Sequence, residues 1–206
     1  MKHRVTRFKT LKVALKELQP FIRNGEHLRT GKPFKRFKGM RSREVLANWL
    51  ICVVKNSEEG IERYTFTSDP MDGDGIVHDS KSKNTWPTEH VMVPPFREGE
   101  THDIDAAILE AIKAKQKKGG AAYASGRTLV VFLDAGAHAP WYPNRVAKAL
   151  PETDFEQVLV VGLQRVEQDG SYVYGVTALD VSGGNAPTWN VCLDPDFEVW
   201  QVKRLQ

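Results

Sequence analysis

The chain has 206 residues, of which 41% are hydrophobic and 27% charged, a composition typical of one globular domain with a buried core. No apolar run approaches the roughly 18–20 residues that span a bilayer. The basic N-terminus has no apolar stretch followed by small residues, which argues against a secretory signal. Cys52 and Cys192 lie far apart among apolar residues, as buried free thiols do in a reducing compartment. We therefore expect a cytoplasmic protein without a membrane partner.

The charge is unevenly distributed along the chain. Residues 1–43 hold fourteen Lys and Arg against two Glu, a net charge of +12, and since the whole chain carries +3 the remainder carries −9. A segment this basic favours a polyanion, and nucleic acid is the commonest one because neutralised phosphates release counterions. A merely solvated segment, or one that docks on the acidic body, is the alternative. We predict two parts, a basic N-terminal extension over residues 1–41 and a folded domain over 42–206.

The extension is predicted to contain one short helix from Thr10 to Gln19, ended by Pro20. The stretch "RNGEHLRTGKPFKRFKGMRS" follows and reads as an irregular basic connection. Phe34 and Phe37 are expected to pin this connection to the core, whereas its cations are expected to contact phosphates. The candidate nucleic-acid contacts are Lys32, Lys35, Arg36, Lys38, Arg41 and Arg43.

Further elements follow in chain order. "SREVLANWLICVV" predicts a buried helix with Ser42 as its N-cap and with Glu44 and Asn48 on one face. "IERYTFTS", "GIVHD" and "EHVMV" predict three meandering strands. A helix with Asp103 as its N-cap and a stop at "GG", a buried strand in "RTLVVFLDA", a helix around "PNRVAKALP" and a β-hairpin closed by "EQDGS" complete the order. The predicted fold class is α/β, a mixed β-sheet flanked by helices with a C-terminal β-hairpin.

Carboxylates crowd the stretch "SDPMDGDGIVHDSKSKNTWPTEHVMV". A calcium loop of the EF-hand type fails because its two end ligands would fall on Pro70 and Lys81. A glycosidase pair needs a separation of carboxylates that the sequence cannot supply. A magnesium site fits better, because Asp74 opens one strand and Glu89 opens its neighbour, and adjacent strands about 4.8 Å apart bring both to one ion. Asp72 is a further candidate ligand for Mg²⁺ or Mn²⁺.

These residues and the order of elements resemble the restriction-endonuclease-like superfamily, known by its PD-(D/E)xK motif. The matching residues are Glu44 in "SREVLANWL", Asp74 in "MDGDGIV" and Glu89 in "TEHV", and the resemblance covers about residues 42–135. It implies a restriction-endonuclease-like core and magnesium-dependent cleavage of nucleic acid, usually DNA. The match departs from the motif at Val91, where the lysine would fall, and the sequence has no true "PD" pair.

Lys115 is the predicted substitute for this lysine. The apolar stripe of the helix after "EHV" begins at Ile104, and steps of 100° per residue return Lys115 to that stripe. The alternative is a snorkelling lysine whose amine stays in water. His90 points to the opposite sheet face from Glu89, so a packed histidine is expected there.

The sequence thus predicts a nuclease-like domain in which Asp74 and Glu89 hold the metal, Glu44 assists and Lys115 supplies the cation. A homodimer is compatible with this hypothesis. The main alternative is a nuclease-like fold without catalysis that binds nucleic acid or a protein partner, and an enzyme of another class or an adaptor remains a third. The missing motif lysine favours the binding protein, and the clustered carboxylates, which repel one another without a cation, favour the enzyme.

Overall fold

A mixed eight-stranded β-sheet forms the centre of the protein. The computed structural model describes residues 10–37, 39–70, 73–96, 103–134, 140–179 and 185–206. The strands follow one another across the sheet in chain order. They are β1 Tyr64–Thr67, β2 Gly75–Asp79, β3 Thr85–Val93, β4 Thr128–Leu133, β5 Gln157–Val166, β6 Tyr172–Leu179, β7 Thr188–Leu193 and β8 Trp200–Arg204.

Helices cover both faces of this sheet. They are α1 Leu11–Arg23, α2 Glu26–Thr30, α3 Ser42–Glu59, α4 Ile104–Ala124 and α5 Pro143–Ala149. The apolar side chains of α1 and α3 belong to one hydrophobic cluster, and those of α4 and α5 belong to a second cluster on the opposite face. The fold is therefore a three-layer α/β/α arrangement, as predicted at the level of fold class.

Strand directions follow from the connections. β3, β4 and β5 run parallel, and the other neighbours in the sheet run antiparallel. Parallel neighbours need a long crossover, which α4 supplies between β3 and β4 and α5 supplies between β4 and β5. β4 is buried on both faces because Leu129, Val131 and Leu133 pack in one cluster while Val130 and Phe132 pack in the other.

The described part of the predicted N-terminal extension packs into the same core as the rest of the chain. Leu15 and Leu18 are fully buried in the cluster that contains Trp49, and the Trp49 indole donates a 2.8 Å hydrogen bond to the Leu11 carbonyl. The helix was predicted to end at Pro20, which is wrong, because α1 continues through Pro20 to Arg23. A proline removes one helical hydrogen bond, and the burial of residues beyond it compensates.

Other expectations along the chain are partly confirmed. The basic connection is not irregular throughout, because α2 forms within it at Glu26–Thr30. Phe34 and Phe37 are both 6% exposed, so they pin the basic connection to the core as expected. α3 begins at Ser42 itself with Arg41 at the N-cap position, one residue earlier than predicted. β3 begins at Thr85, earlier than the predicted strand "EHVMV", so Glu89 lies inside β3 and does not open it, and β7 and β8 extend the sheet beyond the predicted hairpin.

α4 is interrupted near its C-terminal end. Asp103 caps its start as predicted, because the Asp103 carboxylate accepts a 3.0 Å hydrogen bond from the Ala106 amide. At Gly120 the backbone leaves the helical region with φ 71° and ψ 176°, and a final turn then continues to Ala124. This φ,ψ region is essentially reserved for glycine. The "GG" stop signal is thus a break after which the chain turns back.

Among the helices in the described ranges, none combines the length and the apolar character that a membrane span requires.

Candidate active site

Asp74 and Glu89 lie side by side at the point where β2 and β3 pair. Gly75 pairs with Thr88, so the residue before Gly75 and the residue after Thr88 face each other across the antiparallel ladder. The Asp74 carboxylate accepts a 2.7 Å hydrogen bond from the His90 amide. The side chain of Glu89 is 6% exposed and that of Asp74 is 27% exposed. The two acids were predicted from sequence to lie on neighbouring strands, and the structure places them so. We call the region formed by Asp74, Glu89 and the His90 carbonyl the corner.

Lys115 reaches this pair from α4. Its ammonium lies 3.2 Å from Glu89 Oε2 and 3.8 Å from Asp74 Oδ2, and it donates a 3.1 Å hydrogen bond to the His90 carbonyl. Its side chain is only 18% exposed, so the ammonium is turned inward and does not snorkel. Burial by itself lowers the pKa of Lys115, but a hydrogen bond with Tyr123 and the charges of Asp74 and Glu89 outweigh burial and raise the pKa.

Two further residues, which the sequence did not reveal, complete the surroundings of Glu89. The Tyr123 hydroxyl donates a very short hydrogen bond to Glu89 Oε2, and Arg127 pairs with Glu89 Oε1 at 2.7 Å. Both carboxylate oxygens of Glu89 therefore have partners. Burial and the hydrogen bond to Glu89 raise the pKa of the Tyr123 hydroxyl, which keeps it a proton donor at neutral pH.

The break at Gly120 is what brings Tyr123 to Glu89. After the break, the last turn of α4 folds back so that the Tyr123 ring covers Gly119, where a Cβ would overlap the ring. The register of β4, with Thr128 opposite Thr88, then delivers Arg127 beside Glu89. The only sequence signal for this arrangement was the glycine pair, which we interpreted as a stop.

Glu44 lies close to the corner but is engaged by its own helix end. Its carboxylate accepts a 2.7 Å hydrogen bond from the Arg41 amide and lies 3.7 Å from the Arg41 guanidinium. Burial raises the pKa of Glu44, the bond from Arg41 opposes this, and the negative charge of Asp74 raises it further. Glu44 and Asp74 are neighbours because the Asn48 amide donates to the main-chain carbonyls of both, although the described hydrogen bond of the Glu44 carboxylate comes from Arg41 and not from Lys115.

A buried polar layer formed by Asn48, Thr88 and His90 lies beside the main chain of Asp74. Asn48 is fully buried, and its amide donates to the Glu44 carbonyl at 2.9 Å and to the Asp74 carbonyl at 3.4 Å. Its Oδ1 accepts a 2.9 Å bond from the Thr88 hydroxyl. One side chain thus ties α3 to the start of β2 and to the middle of β3. Asn48 was recognisable in the sequence as the one polar residue between Val45 and Val54.

His90 belongs to this buried layer, on the opposite face of β3 from Glu89, as expected. Its Nε2 lies 3.3 Å from the Asn48 amide nitrogen, while its buried Nδ1 has no hydrogen-bond partner among the described residues. Burial, together with the charges of Lys115 and Arg43, lowers the pKa of His90 to about 3. The imidazole is therefore neutral at physiological pH, and its low basicity makes it a poor general base.

The corner offers oxygen ligands of the kind that Mg²⁺ and Mn²⁺ prefer. The Lys115 ammonium is surrounded by carboxylate oxygens of Asp74 and Glu89 and by the carbonyl oxygen of His90. These oxygens, which could act as metal ligands, therefore already converge on a cation. Asp72, the third predicted ligand, lies outside the described residues. Within the described ranges no group of three or more His, Cys, Asp or Glu side chains forms a metal cluster. The donor set that fits a hard cation is thus two carboxylates and a main-chain carbonyl.

The predicted nucleic-acid contacts fall into different environments. Lys32 and Lys35 are exposed. Arg36 is 69% exposed and pairs with Glu17 at 2.9 Å, and Lys38 lies outside the described residues. The described cations of this part of the basic connection are thus exposed to solvent, and Arg36 is paired with an acid of the chain itself.

Arg41 and Arg43 differ sharply from each other. The Arg41 side chain is 57% exposed, whereas Arg43 is 8% exposed and donates to the carbonyls of Leu28 and Arg29 at 3.4 and 3.2 Å. Burial and the nearby charge of Arg41 lower the pKa of Arg43. The geometry gives Arg43 a structural role, holding α2 against α3, and an open phosphate contact is not what it provides.

Neither models of known protein families nor curated protein sequences match this chain.

Proposed function

We propose that this chain is a metal-dependent nuclease of the restriction-endonuclease-like type that cleaves phosphodiester bonds of nucleic acid, with DNA as the expected substrate. The observation that carries the proposal is the convergence of Asp74, Glu89 and the His90 carbonyl on one ammonium, that of Lys115. The order of elements supports it, since a buried helix, a three-stranded meander, a crossover helix and a parallel fourth strand surround this corner.

Asp74, Glu89 and the His90 carbonyl would hold the Mg²⁺ or Mn²⁺ ion, with Asp72 as a further candidate. When bound, such an ion neutralises charge on the phosphate and lowers the pKa of a bound water. The protein contributes geometry: the His90 amide orients Asp74, while Arg127 and Tyr123 orient Glu89. Fixed ligands of this kind matter because small displacements of a reacting group cost large factors in rate.

Lys115 would take the role of the motif lysine that position 91 lacks. Val91 packs against the cluster formed by α4 and β4, so the strand position contributes an apolar contact while the helix above it contributes the charge. A buried ammonium beside the scissile phosphate stabilises the negative charge that develops there. Glu44, near Asp74 and with its pKa raised by burial, would assist through a hydrogen-bonded water.

The nucleic-acid backbone would lie along the exposed cations of the basic connection. Lys32, Lys35, Arg36 and Arg41 remain candidates because they are exposed. Arg41 also links them to the corner, since its backbone amide binds Glu44. Contacts of this kind position a duplex without reading its sequence, and binding should weaken steeply as salt rises.

The test is magnesium-dependent digestion of plasmid, single-stranded DNA and RNA by the full chain. Asp74→Asn should abolish cleavage because it removes one ligand charge, whereas Glu110→Gln, on the exposed face of α4, should cleave like the wild type. Absence of cleavage with every substrate and with both Mg²⁺ and Mn²⁺ would contradict the enzyme. Cleavage that survives Asp74→Asn would show that the chemistry lies elsewhere.

A binding protein without catalysis is the second candidate, and one observation favours it. Lys115 and Arg127 already balance the charges of Asp74 and Glu89, so both carboxylates have cationic partners without a metal. Salt-dependent retention on DNA, without cleavage and without any stabilisation by Mn²⁺, would support this candidate.

In either case we propose a cytoplasmic protein, since both cysteines are free thiols. A homodimer stays a prediction.

A further inference from the structure

We propose that Lys115 is an internal occupant of the metal site: its ammonium and a divalent cation compete for the same oxygen atoms, so the metal must displace the ammonium to bind. This inference rests on the proposed function for its view of the corner as a metal site. It goes further because it assigns Lys115 two opposed effects, a favourable one on cleavage and an unfavourable one on metal affinity.

The distances carry the first step. The ammonium lies 3.1 Å from the His90 carbonyl oxygen and 3.2 Å from Glu89 Oε2, with Asp74 Oδ2 at 3.8 Å. Mg²⁺ holds its oxygen ligands at about 2.0–2.1 Å. An ion bound to these oxygens would therefore lie where the ammonium is now, and the two cannot occupy that position together.

Charge carries the second step. Asp74 and Glu89 contribute two negative charges, and Lys115 and Arg127 contribute two positive charges within 4 Å of them. A divalent ion added to this balanced group meets two cations in a corner where solvent screening is weak. Moving the Lys115 ammonium outward removes the nearer of these repulsions. Arg127 can stay, because it binds Glu89 through the other carboxylate oxygen, Oε1.

Tyr123 carries the third step. Its hydroxyl donates to Glu89 Oε2, the same oxygen that contacts the Lys115 ammonium, and the ammonium lies 5.7 Å from the centre of the Tyr123 ring. Tyr123 thus helps to hold the metal-free arrangement, and it does so on the turn that begins at Gly120. Removing its hydroxyl should free a lone pair of Oε2 for a metal while leaving the charges unchanged.

The experiment measures Mn²⁺ binding by isothermal titration calorimetry, without nucleic acid, for the full chain and three variants. Lys115→Met should tighten the dissociation constant by about ten-fold or more, because a cation within about 4–6 Å of a carboxylate shifts its proton equilibrium by one to three powers of ten and should oppose metal binding in the same way. Tyr123→Phe should tighten it by a smaller factor. Lys113→Met removes a lysine of the same helix that points to solvent and pairs with Glu110, so its affinity should match the wild type.

Equal or weaker Mn²⁺ binding by Lys115→Met overturns the proposal, and so does the absence of binding by every form. Circular dichroism and thermal melts establish that each variant is folded. If Lys115→Met does not fold, Lys115→Gln and Tyr123→Phe decide by the same criterion. Cleavage is assayed separately. Tighter binding by Lys115→Met with no cleavage by any form would support competition between Lys115 and the metal but refute the nuclease. Cleavage by the wild type with weaker binding by Lys115→Met would support the nuclease but refute the competition.

Discussion

Two buried carboxylates, one in the first turn of α4 and one on β3 beside the later part of α4, show how similar ion pairs can serve different purposes. Glu89 is 5% exposed and Asp105, in the first turn of α4, is 6% exposed. Each accepts hydrogen bonds through both oxygens. Asp105 accepts from the Tyr142 amide at 3.0 Å and from the Arg145 guanidinium, while Glu89 is engaged by Lys115, Tyr123 and Arg127.

The difference lies in where the partners come from and what else is near. The two partners of Asp105 belong to one short segment around the start of α5, so this cluster fastens one helix to another. The partners of Glu89 come from α4 and from the chain after its break, and a second carboxylate and a main-chain carbonyl share the same ammonium. Burial of a charged pair therefore does not by itself indicate function. Convergence of several oxygens on one cation is the distinguishing feature.

The largest expected effect is on the rate of cleavage, which should depend on the Glu89 cluster and not on the Asp105 cluster. Glu89→Gln should reduce cleavage by more than about 100-fold, because even outer-shell partners of a metal site typically cost 10–100-fold. Asp105→Asn should leave the rate per folded molecule near that of the wild type. Plasmid relaxation under a saturating Mg²⁺ concentration measures both.

Asp105→Asn should instead affect stability, by about 1–2 kcal/mol, since it weakens one charged hydrogen bond to an exposed arginine and keeps an acceptor for the Tyr142 amide. Thermal unfolding measures this loss. A variant of Asp105 that loses cleavage while remaining folded would break the comparison, because the two clusters would then share a function.

The next effect concerns the buried layer that supports only the Asp74–Glu89 corner. Asn48→Leu should lower the free energy of unfolding by about 2–4 kcal/mol, because it leaves several buried polar groups without partners. It should also weaken Mn²⁺ binding, since Asn48 holds the start of β2 through the Asp74 carbonyl. Urea unfolding and calorimetry measure the two quantities.

Asn56→Leu is the matched control for that layer. Asn56 is 8% exposed on the same helix and binds the backbone of Arg63 and Tyr64, away from the corner. It should cost comparable stability but leave Mn²⁺ affinity unchanged in the folded protein. Equal losses of affinity in both variants would mean that general destabilisation, and not the position of Asp74, controls the metal.

An effect smaller than that of Asn48→Leu is expected at the break in α4. Gly120→Ala should cost about 1–3 kcal/mol of stability, because alanine is strained in this backbone region, and it should also lower the rate of cleavage by displacing Tyr123. Gly170→Ala, in the β5–β6 hairpin at φ 87°, is the control, because it imposes backbone strain outside α4. If both variants lose only stability, Tyr123 has no role in positioning Glu89.

Local patterns were sufficient to find part of this corner. Alternation and turn residues place Asp74 and Glu89 on neighbouring strands, and helical periodicity returns Lys115 to the buried side of α4. These inferences work because each depends on residues within a single strand or helix and on a fixed repeat. The α/β class was predictable for the same reason, from the order of apolar strands and helices.

Other features depend on contacts between distant segments. Counting charges could not distinguish Arg43 from Arg41, because only the packing of α2 against α3 turns the Arg43 guanidinium toward the Leu28 and Arg29 carbonyls. The predicted end of the first helix at Pro20 was wrong because tertiary burial outweighed one missing hydrogen bond. β7 and β8 escaped prediction because their residues become a sheet only when β6 provides a partner edge.

Spacing along a strand or helix is fixed by the covalent chain, so the sequence was enough to show which acids could share a cation. What surrounds these acids depends on how distant segments pack. Arg127 reaches Glu89 through the β3–β4 register, and Tyr123 reaches it through the backbone angles at Gly120. Both arrangements are set by packing free energies that sum over many residues far apart in sequence, and no local pattern contains that sum.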